Sequence, residues 1–403
     1  MTRRAVITGY GAVTSLGLTA PDTIRAMAAG QPAIGPLDIQ DVDRLNKPIG
    51  GQIRNFDASA HFTRSELVLY DRAVQLALVA AAEAMDHAGL KDGISDPSRA
   101  GVIMGTGGGG ISAAEDNYRE VFEAAKNRVH PFTVPRLMAN AAASHISIRH
   151  RLQGPTFTVS TACASSNHAF AQALALIRAG VADVVLAGGS DAMLTFGILK
   201  AWEGLRVMSS DGCRPFCATR NGMVQGEGAA VFVLESEDHA RNRGAQPLAE
   251  LAGAAMTSDA ADVVMPNQDG AARAIAGAIA DAGMVPDDID YVNAHGTATA
   301  ANDRLECAAL RQAMGPGADG IAVSSTKSMH GHCMGGTGAI EALAVMSTLC
   351  DGVIPPTAGR QEPDPDCDLD IVANTARQGN YNAALSNAFA FGGLNAVLAF
   401  RKL

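Results

Sequence analysis

The sequence predicts an α/β protein made of two similar halves, and three observations carry that reading. Short β-rich apolar runs ending in glycine turns alternate with longer stretches of helical apolar spacing, the pattern of layered strands and helices rather than of a sandwich or bundle. The succession of elements then starts again after residue 245. Finally, 403 residues with 47% apolar and 18% charged side chains exceed what one core needs and exclude a disordered chain.

The first half begins with a buried strand at Ala5–Thr8 and a turn at Gly9–Gly11. Residues 66–88 carry apolar side chains at helical spacing, with Gly89 as the stop. Ala100–Met104 is a second strand, running into the glycine-rich loop Gly105–Gly110. Phe157–Ser160 is a third, followed by a helix over Ala164–Ala179 that Gly180 closes. Asp183–Ala187 and Ala230–Glu235 are further strands. Arg241–Pro247 reads as a linker, which divides the chain into units 1–245 and 246–403. The second unit repeats the order: a strand at Leu248–Ala255, a helix at 270–283, a strand at Asp290–Asn293 ending near His295, and a strand at Ile321–Ser324. A helix from Gly338 to Cys350 and strands at Ala383–Ser386 and Ala396–Phe400 complete it. The duplication rests on element order, not on repeated sequence. Pro363 and Pro365 mark a surface loop.

Charge and cysteine usage narrow the function. Lys plus Arg total 31 against 41 Asp plus Glu, a net charge of −10, which argues against a nucleic-acid partner. No apolar run reaches the ~18 residues of a membrane span, and the start turns at Gly9 before a signal-peptide core could form. A soluble, cytoplasmic protein is expected. Seven cysteines without framework spacing imply reduced thiols and make a catalytic cysteine worth seeking. Arg64, Arg72, Arg128, Arg136, Arg149 and Arg151 fall in one stretch, either a local basic patch for an acidic partner or a solvated helix face.

Three strand ends could carry chemistry. Around Cys163, a short strand, a tight turn and a helix place the thiol at a helix N-terminus, where backbone N–H groups favour thiolate and can serve an oxyanion. A buried structural cysteine is the alternative. His295 follows directly on a strand, with small residues after it, and Lys327, His330 and His332 follow the next. A lone histidine at either place would more often be structural. One nucleophile and two histidines, each at a strand end feeding a glycine-rich turn, converge on one pocket more easily. Neither His330, His332 and Cys333 nor Cys213 and Cys217 have the paired spacing of a zinc site, and no metal is expected. The loops at 9–17 and 105–110 lack the context of a dinucleotide fingerprint.

These residues resemble an elongating β-ketoacyl-(acyl carrier protein) synthase of the ketosynthase II type. The likeness spans essentially the whole chain: Val6–Gly17, Ser160–Ser165, Ala182–Ser190, Arg214–Phe216, Gly226–Ala229, Asn293–Thr297, Ser325–Ser328, Gly335–Glu341 and Ser386–Gly393. Within that family it is similar to nodulation protein E-type synthases through Leu199–Glu203, Cys213–Phe216, His330 and Glu362–Asp370, although secondary-metabolite ketosynthases share much of this pattern.

The resemblance implies a thiolase-like fold, two similar α/β halves in α-β-α-β-α layers, and a decarboxylative Claisen condensation without any cofactor. It implies that Cys163 holds the acyl chain, that the N–H groups of Cys163 and Phe391 form the oxyanion hole, and that His295 and His332 hold the enolate. Lys327 would pair with Glu341, and Phe391 would gate. Thr297 and Thr299 match positions against the phosphopantetheine arm, while Asp303 and Glu306 match supporting acids. The implied partners are acyl carrier protein and a second subunit, identical or chain-length-factor-like, with the strand before Cys163 pairing across the twofold.

Four positions depart from the family pattern. Gly108 replaces a bulky aliphatic residue and Thr133 an aromatic one, so a roomier acyl channel is expected. Cys217 and Asn221 stand where the family has Asp. A thiolase acting on coenzyme A esters is disfavoured by His332 and by Phe389–Gly393 in place of a Cys-x-Gly loop. A non-catalytic chain-length factor is disfavoured by Cys163.

Overall fold

The computed structural model describes residues 3–403; Met1 and Thr2, which open the segment read above for an export signal, lie outside the described residues. The first half contributes β1 (Ala5–Thr14), helix α1 (Arg72–His87), β2 (Ala100–Gly105), β3 (Thr156–Val159), helix α2 (Ser165–Arg178), β4 (Val184–Ala192) and β5 (Glu227–Ser236). The second contributes β6 (Ala249–Ser258), α3 (Gln268–Asp281), β7 (Tyr291–Asn293), α4 (Ala300–Met314), β8 (Ala322–Ser324), α5 (Thr337–Asp351), β9 (Asp370–Ile371), β10 (Ala383–Ala390) and β11 (Leu394–Lys402).

The strands lie β1-β5-β4-β2-β3 in the first half and β6-β11-β10-β7-β8 in the second, with β9 added at the edge. Strand by strand these are the same order, including the parallel pairs β4–β2–β3 and β10–β7–β8. A short antiparallel pairing of Ala5–Ile7 with Ala249–Leu251 joins the halves into one 11-stranded sheet. Helix α1 covers the outer face of the first half, and α3 with α4 covers that of the second. Between the halves lie α2 and α5, each touching strands of both. The result is the α-β-α-β-α layering of a thiolase-like fold. Helix α5 is buried from Thr337 to Leu349, as its nearly uncharged sequence requires of a helix with no solvent face.

The duplication positions the site. The β3–α2 connection of the first half corresponds to the β8–α5 connection of the second. Cys163 lies in the former and His332 in the latter, so both sit where strands feed the central helix layer.

Several sequence expectations change here. Gly9 and Gly11 do not turn the chain: β1 runs through to Thr14 with a bulge between Ile7 and Gly9. Their role is close packing, since a Cβ on Gly11 would lie 2.2 Å from the carbonyl oxygen of Ala80 in α1. The expected helix over 66–88 is two helices, Arg64–Leu69 and α1, broken where Asp71 caps the Ala73 N–H and also accepts from Ala113 N–H. The arginine stretch is not one free patch, because Arg72 pairs with Glu227 and Arg149 with Glu66; Arg64 and Arg128 are exposed.

Candidate active site

Three turns bring the chemistry together, and each holds a non-glycine residue in the left-handed region. Ala162 (φ +48°) precedes Cys163, Ala298 (φ +63°) follows His295, and Met334 (φ +47°) follows His332. Such a conformation costs about 1–2 kcal/mol per residue and persists only where surrounding packing fixes it. Here the 3-10 turn Ala162–Ala164 aims the Cys163 thiol off the start of α2.

Cys163, His295, His332, Thr297, Thr299 and Phe391 line one cavity of about 130 Å³, together with Trp202, Met223, Phe389 and the segment Val264–Pro266. The two imidazoles meet edge to face with centroids 5.6 Å apart, and Phe389 packs against His295 at 6.0 Å. The Phe391 ring lies 5.7 Å from that of Trp202. Two glycines with positive φ, Gly392 and Gly393, follow Phe391 and give its turn conformations closed to other residues.

The hydrogen bonds of His332 define its tautomer. The Met334 N–H donates to its Nδ1 at 3.1 Å, so that nitrogen carries no proton, and Thr337 Oγ1 lies 2.9 Å from the same atom. The proton is therefore on Nε2, which is buried without a partner among the described residues and is a free donor. Burial, then the charge of Lys327, holds both His295 and His332 well below the ordinary histidine value. Both rings are neutral at working pH.

Behind the cavity stands a shell of buried charge. Lys327 Nζ donates to the His295 carbonyl and to Glu341 Oε1, each at 2.5 Å. Burial raises the Glu341 carboxyl to about 7 against the opposing pull of Lys327, and its Oε2 has no donor among the described residues. Glu306 accepts the N–H groups of His295 (2.8 Å) and Gly296 (2.7 Å) and the Asn387 amide. Asp303 accepts from the Phe216 and Ala298 N–H groups, with Arg220 at 3.7 Å, and burial raises it to about 6. These acids hold the His295 turn rather than facing the cavity. Among the described residues, no three His, Cys, Asp or Glu side chains are grouped to hold a metal ion.

The Cys163 thiol itself departs from expectation. Burial pushes it up to about 11, outweighing the charge of Lys327 and the N–H groups of Phe391 and Cys163. The thiol is neutral in the free protein, and the helix terminus does not prevail over desolvation. The two N–H groups that act on the sulfur are nonetheless the pair expected to serve an oxyanion.

Gly108 and Thr133 do not line this cavity. The Thr133 hydroxyl donates to the His130 carbonyl beside a separate polar groove. The space freed at Gly108 is not open either: a Cβ there would meet Met193 Cε at 2.9 Å and Sδ at 3.0 Å. The simple expectation of a roomier channel is corrected accordingly. Cys217 accepts from the Glu362 N–H at 3.3 Å and contacts Thr219 Oγ1 at 3.2 Å, and Asn221 donates to Asp211; both substitutions are absorbed in loop contacts.

Sequence reasoning missed Asp191, at the end of β4. It is fully buried and accepts from Thr106, Gly107, Gly108 and Gly335, tying the 105–110 loop to the turn after His332. Its place after Gly188 and Gly189 on a strand end was a usable signal. Met193 had none, since its importance lies in a distant partner, and Trp202 stood out only as part of the resembling segment Leu199–Glu203, not as a cavity residue.

Comparison with known proteins bears on the same residues. Residues 2–240 match the beta-ketoacyl synthase N-terminal domain and residues 248–361 the C-terminal domain. The chain is 48% identical over 403 residues to nodulation protein E of Rhizobium leguminosarum bv. trifolii, covering 100% of both. It is 38% identical to a 3-oxoacyl-[acyl-carrier-protein] synthase 2 of Synechocystis sp., covering 99% of this chain and 98% of the relative. Among solved structures it is similar to the ishigamide ketosynthase/chain length factor, with a TM-score of 0.95 and 33% identity over 100% of both chains.

Proposed function

The chain belongs to the beta-ketoacyl synthase family, and from that premise we propose that Cys163, His295 and His332 carry an elongating decarboxylative condensation on acyl carrier protein. The observation that carries the assignment is their convergence on one cavity, with the unpartnered His332 Nε2–H among them.

The steps balance without a cofactor. Cys163 attacks the acyl thioester of the carrier protein, the phosphopantetheine thiol leaves with the cysteine proton, and a new thioester forms on Cys163. The N–H groups of Cys163 and Phe391 hold the oxyanion of each tetrahedral intermediate. A malonyl thioester then takes the place of the spent carrier, its arm against Thr297 and Thr299. Its carboxylate leaves as CO2, and the enolate oxygen receives N–H bonds from the neutral rings of His295 and His332. The enolate carbon attacks the Cys163 acyl group. Cys163 leaves as thiolate and takes one proton, and the product is a 3-ketoacyl chain two carbons longer. Lys327 and Glu341 act as positioning residues: Glu341 holds Lys327, which fixes the His295 carbonyl and whose charge adds to burial in keeping both rings uncharged. Asp303 and Glu306 brace the same turn.

The partners in this reading are acyl- and malonyl-carrier protein and a second subunit, with the edge strand β3 placed to pair with its mate. The working compartment is the cytoplasm; no helix among the described residues is long and apolar enough to cross a membrane. Intact-mass measurement after incubation with acyl-carrier proteins, then malonyl-carrier protein, tests the function. An acyl adduct on Cys163 that malonyl converts to an elongated ketoacyl product is expected. Loading without condensation, or no loading by the chain alone, favours the second reading: a ketosynthase subunit active only with a chain-length-factor-like mate. The likeness to the ishigamide ketosynthase/chain length factor supports that second reading.

A further inference from the structure

One face of helix α4 is tied to the loop before β9 at three successive positions. Arg304, Cys307 and Arg311 are spaced i, i+3 and i+7, which places them in one stripe along the helix. Opposite them run Asp366, Cys367 and Asp368. Arg304 Nε lies 3.1 Å from Asp366 Oδ2, and Arg311 Nε donates to Asp368 Oδ1 at 2.8 Å. An ion pair thus flanks the middle position on either side, and the partners there are two cysteines. Each is 1% exposed, both belong to one apolar cluster, and both are free thiols. The Cys307 thiol bonds to Cys367, which, ahead of burial, holds it well above the ordinary thiol value. The same helix supports the His295 turn. Glu306, the residue before Cys307, accepts the His295 and Gly296 N–H groups, and Asp303 accepts from Phe216 and Ala298. Condensation itself has no use for either thiol.

We propose that Cys307 and Cys367 are a redox modification site: hydrogen peroxide joins them in a reversible disulfide, and this cross-link slows condensation by shifting α4 against the His295 turn. The effect on rate rests on the condensing-enzyme reading above; the cross-link does not. Peroxide gives one oxygen to a thiol, which becomes a sulfenic acid as water leaves. The second thiol attacks that sulfur, a second water leaves, and an S–S bond remains. Two thiols lose two hydrogens, and one peroxide becomes two waters. A transient, redox-sensing disulfide is the kind a reducing compartment allows. Sulfur atoms in hydrogen-bond contact lie well beyond the ~2.05 Å of a disulfide, so closing the bond draws α4 and the loop together. The flanking ion pairs keep the two cysteines in register while it closes. Glu306 travels with Cys307 on the same turn of helix, and the His295 turn travels with Glu306. A misplacement of about 1 Å can cost about a hundredfold in rate. The loop takes up part of the movement here, so about tenfold is expected.

The test treats the full chain, with its mate where loading requires one, after octanoyl-carrier protein has acylated Cys163 and so protected it as a thioester. Hydrogen peroxide is added, catalase removes the excess, and malonyl-carrier protein follows. Intact mass is expected to show the loss of two hydrogens, and peptide mapping to join Cys307 to Cys367. The condensation rate should fall about tenfold and return when a phosphine reductant opens the bond. Cys307→Ala should condense at the native rate and keep that rate after peroxide. Should that variant fail to fold, Cys367→Ala serves in its place. Absence of a Cys307–Cys367 peptide after peroxide overturns the inference, and so does a cross-linked protein that condenses at the native rate. An equal fall in Cys307→Ala places the damage elsewhere and overturns it as well. The cross-link is also mapped on the unloaded chain, which separates the two readings. Failure to load any acyl chain overturns the condensing-enzyme reading and the slowing with it, whereas loading and condensation without a cross-link overturn this inference alone.

Discussion

Two buried glutamates, one in each half, have opposite fates. Glu235 ends β5 at the base of the first half, and Glu341 lies in α5 behind the cavity; their side chains are 0% and 1% exposed. Burial pushes both carboxyls up. At Glu235 the opposing hydrogen bonds of Arg243, His239 and Thr8 win, and the group falls from 4.5 to about 2. At Glu341 burial wins, and the group rises to about 7. The difference lies in donors, not depth. Both oxygens of Glu235 are engaged, with Arg243 Nε at 2.8 Å from Oε2. Among the described residues Glu341 has only Lys327, which it shares with the His295 carbonyl, and its Oε2 is unpartnered. Burial with complete pairing stabilises the fold. Burial with incomplete pairing is tolerated where the cation has a second task, here holding His295 in place and both imidazoles neutral.

The sharpest way to break this contrast is Lys327→Met. It leaves Glu341 and the His295 carbonyl buried without a donor, and removing one partner of a buried pair costs about 3–5 kcal/mol. A fall of that size in urea unfolding is expected, together with loss of condensation. Lys327→Met/Glu341→Gln should recover most of the stability, because no uncompensated charge remains, and should not recover kcat. Recovery of both would make the pair purely structural.

Glu235→Gln tests the other side with a smaller effect. The folded carboxyl lies at about 2 against 4.5 unfolded, and at 1.36 kcal/mol per unit this is worth about 3 kcal/mol. The sign follows from linkage: the folded group is depressed, so its contribution is present above 4.5 and lost as pH falls toward 2. Variant and native protein should differ in unfolding free energy near neutrality and converge in acid. Glu341, being raised, makes the reverse contribution, lost as pH rises through about 7.

What the sequence made legible follows the same division. Strand ends at Cys163, His295 and His332 could be read because alternation and glycine turns are local signals, and the fold gathers those ends at equivalent points of its two halves. Helix α4 was not legible, because it turns polar side chains inward: Asn302, Asp303 and Glu306 are all buried, which hides the apolar stripe a surface helix would have. Gly9 and Gly11 were misread as a turn, since the reason for them is a helix 70 residues away. The filling of Gly108's space by Met193 was invisible for the same cause. Local grammar fixes elements; compensation across the fold has no local trace.

The smallest of the three effects concerns the nucleophile itself. With the Cys163 thiol raised from 9.0 to about 11 by burial, its thiolate fraction near pH 8 is roughly a hundredfold below that of an ordinary free cysteine, about 2.7 kcal/mol. Alkylation of Cys163 by iodoacetamide, followed by intact mass, should therefore climb about tenfold per pH unit from about 7 to 10 without a plateau. Lys327 is the largest influence that lowers this thiol, so alkylation in Lys327→Met should be slower still at each pH. A plateau below about 8 would mean that a proton passes to a neighbouring imidazole in the resting enzyme. The histidines would then be charged rather than neutral, and their role as N–H donors to an enolate would have to be assigned afresh.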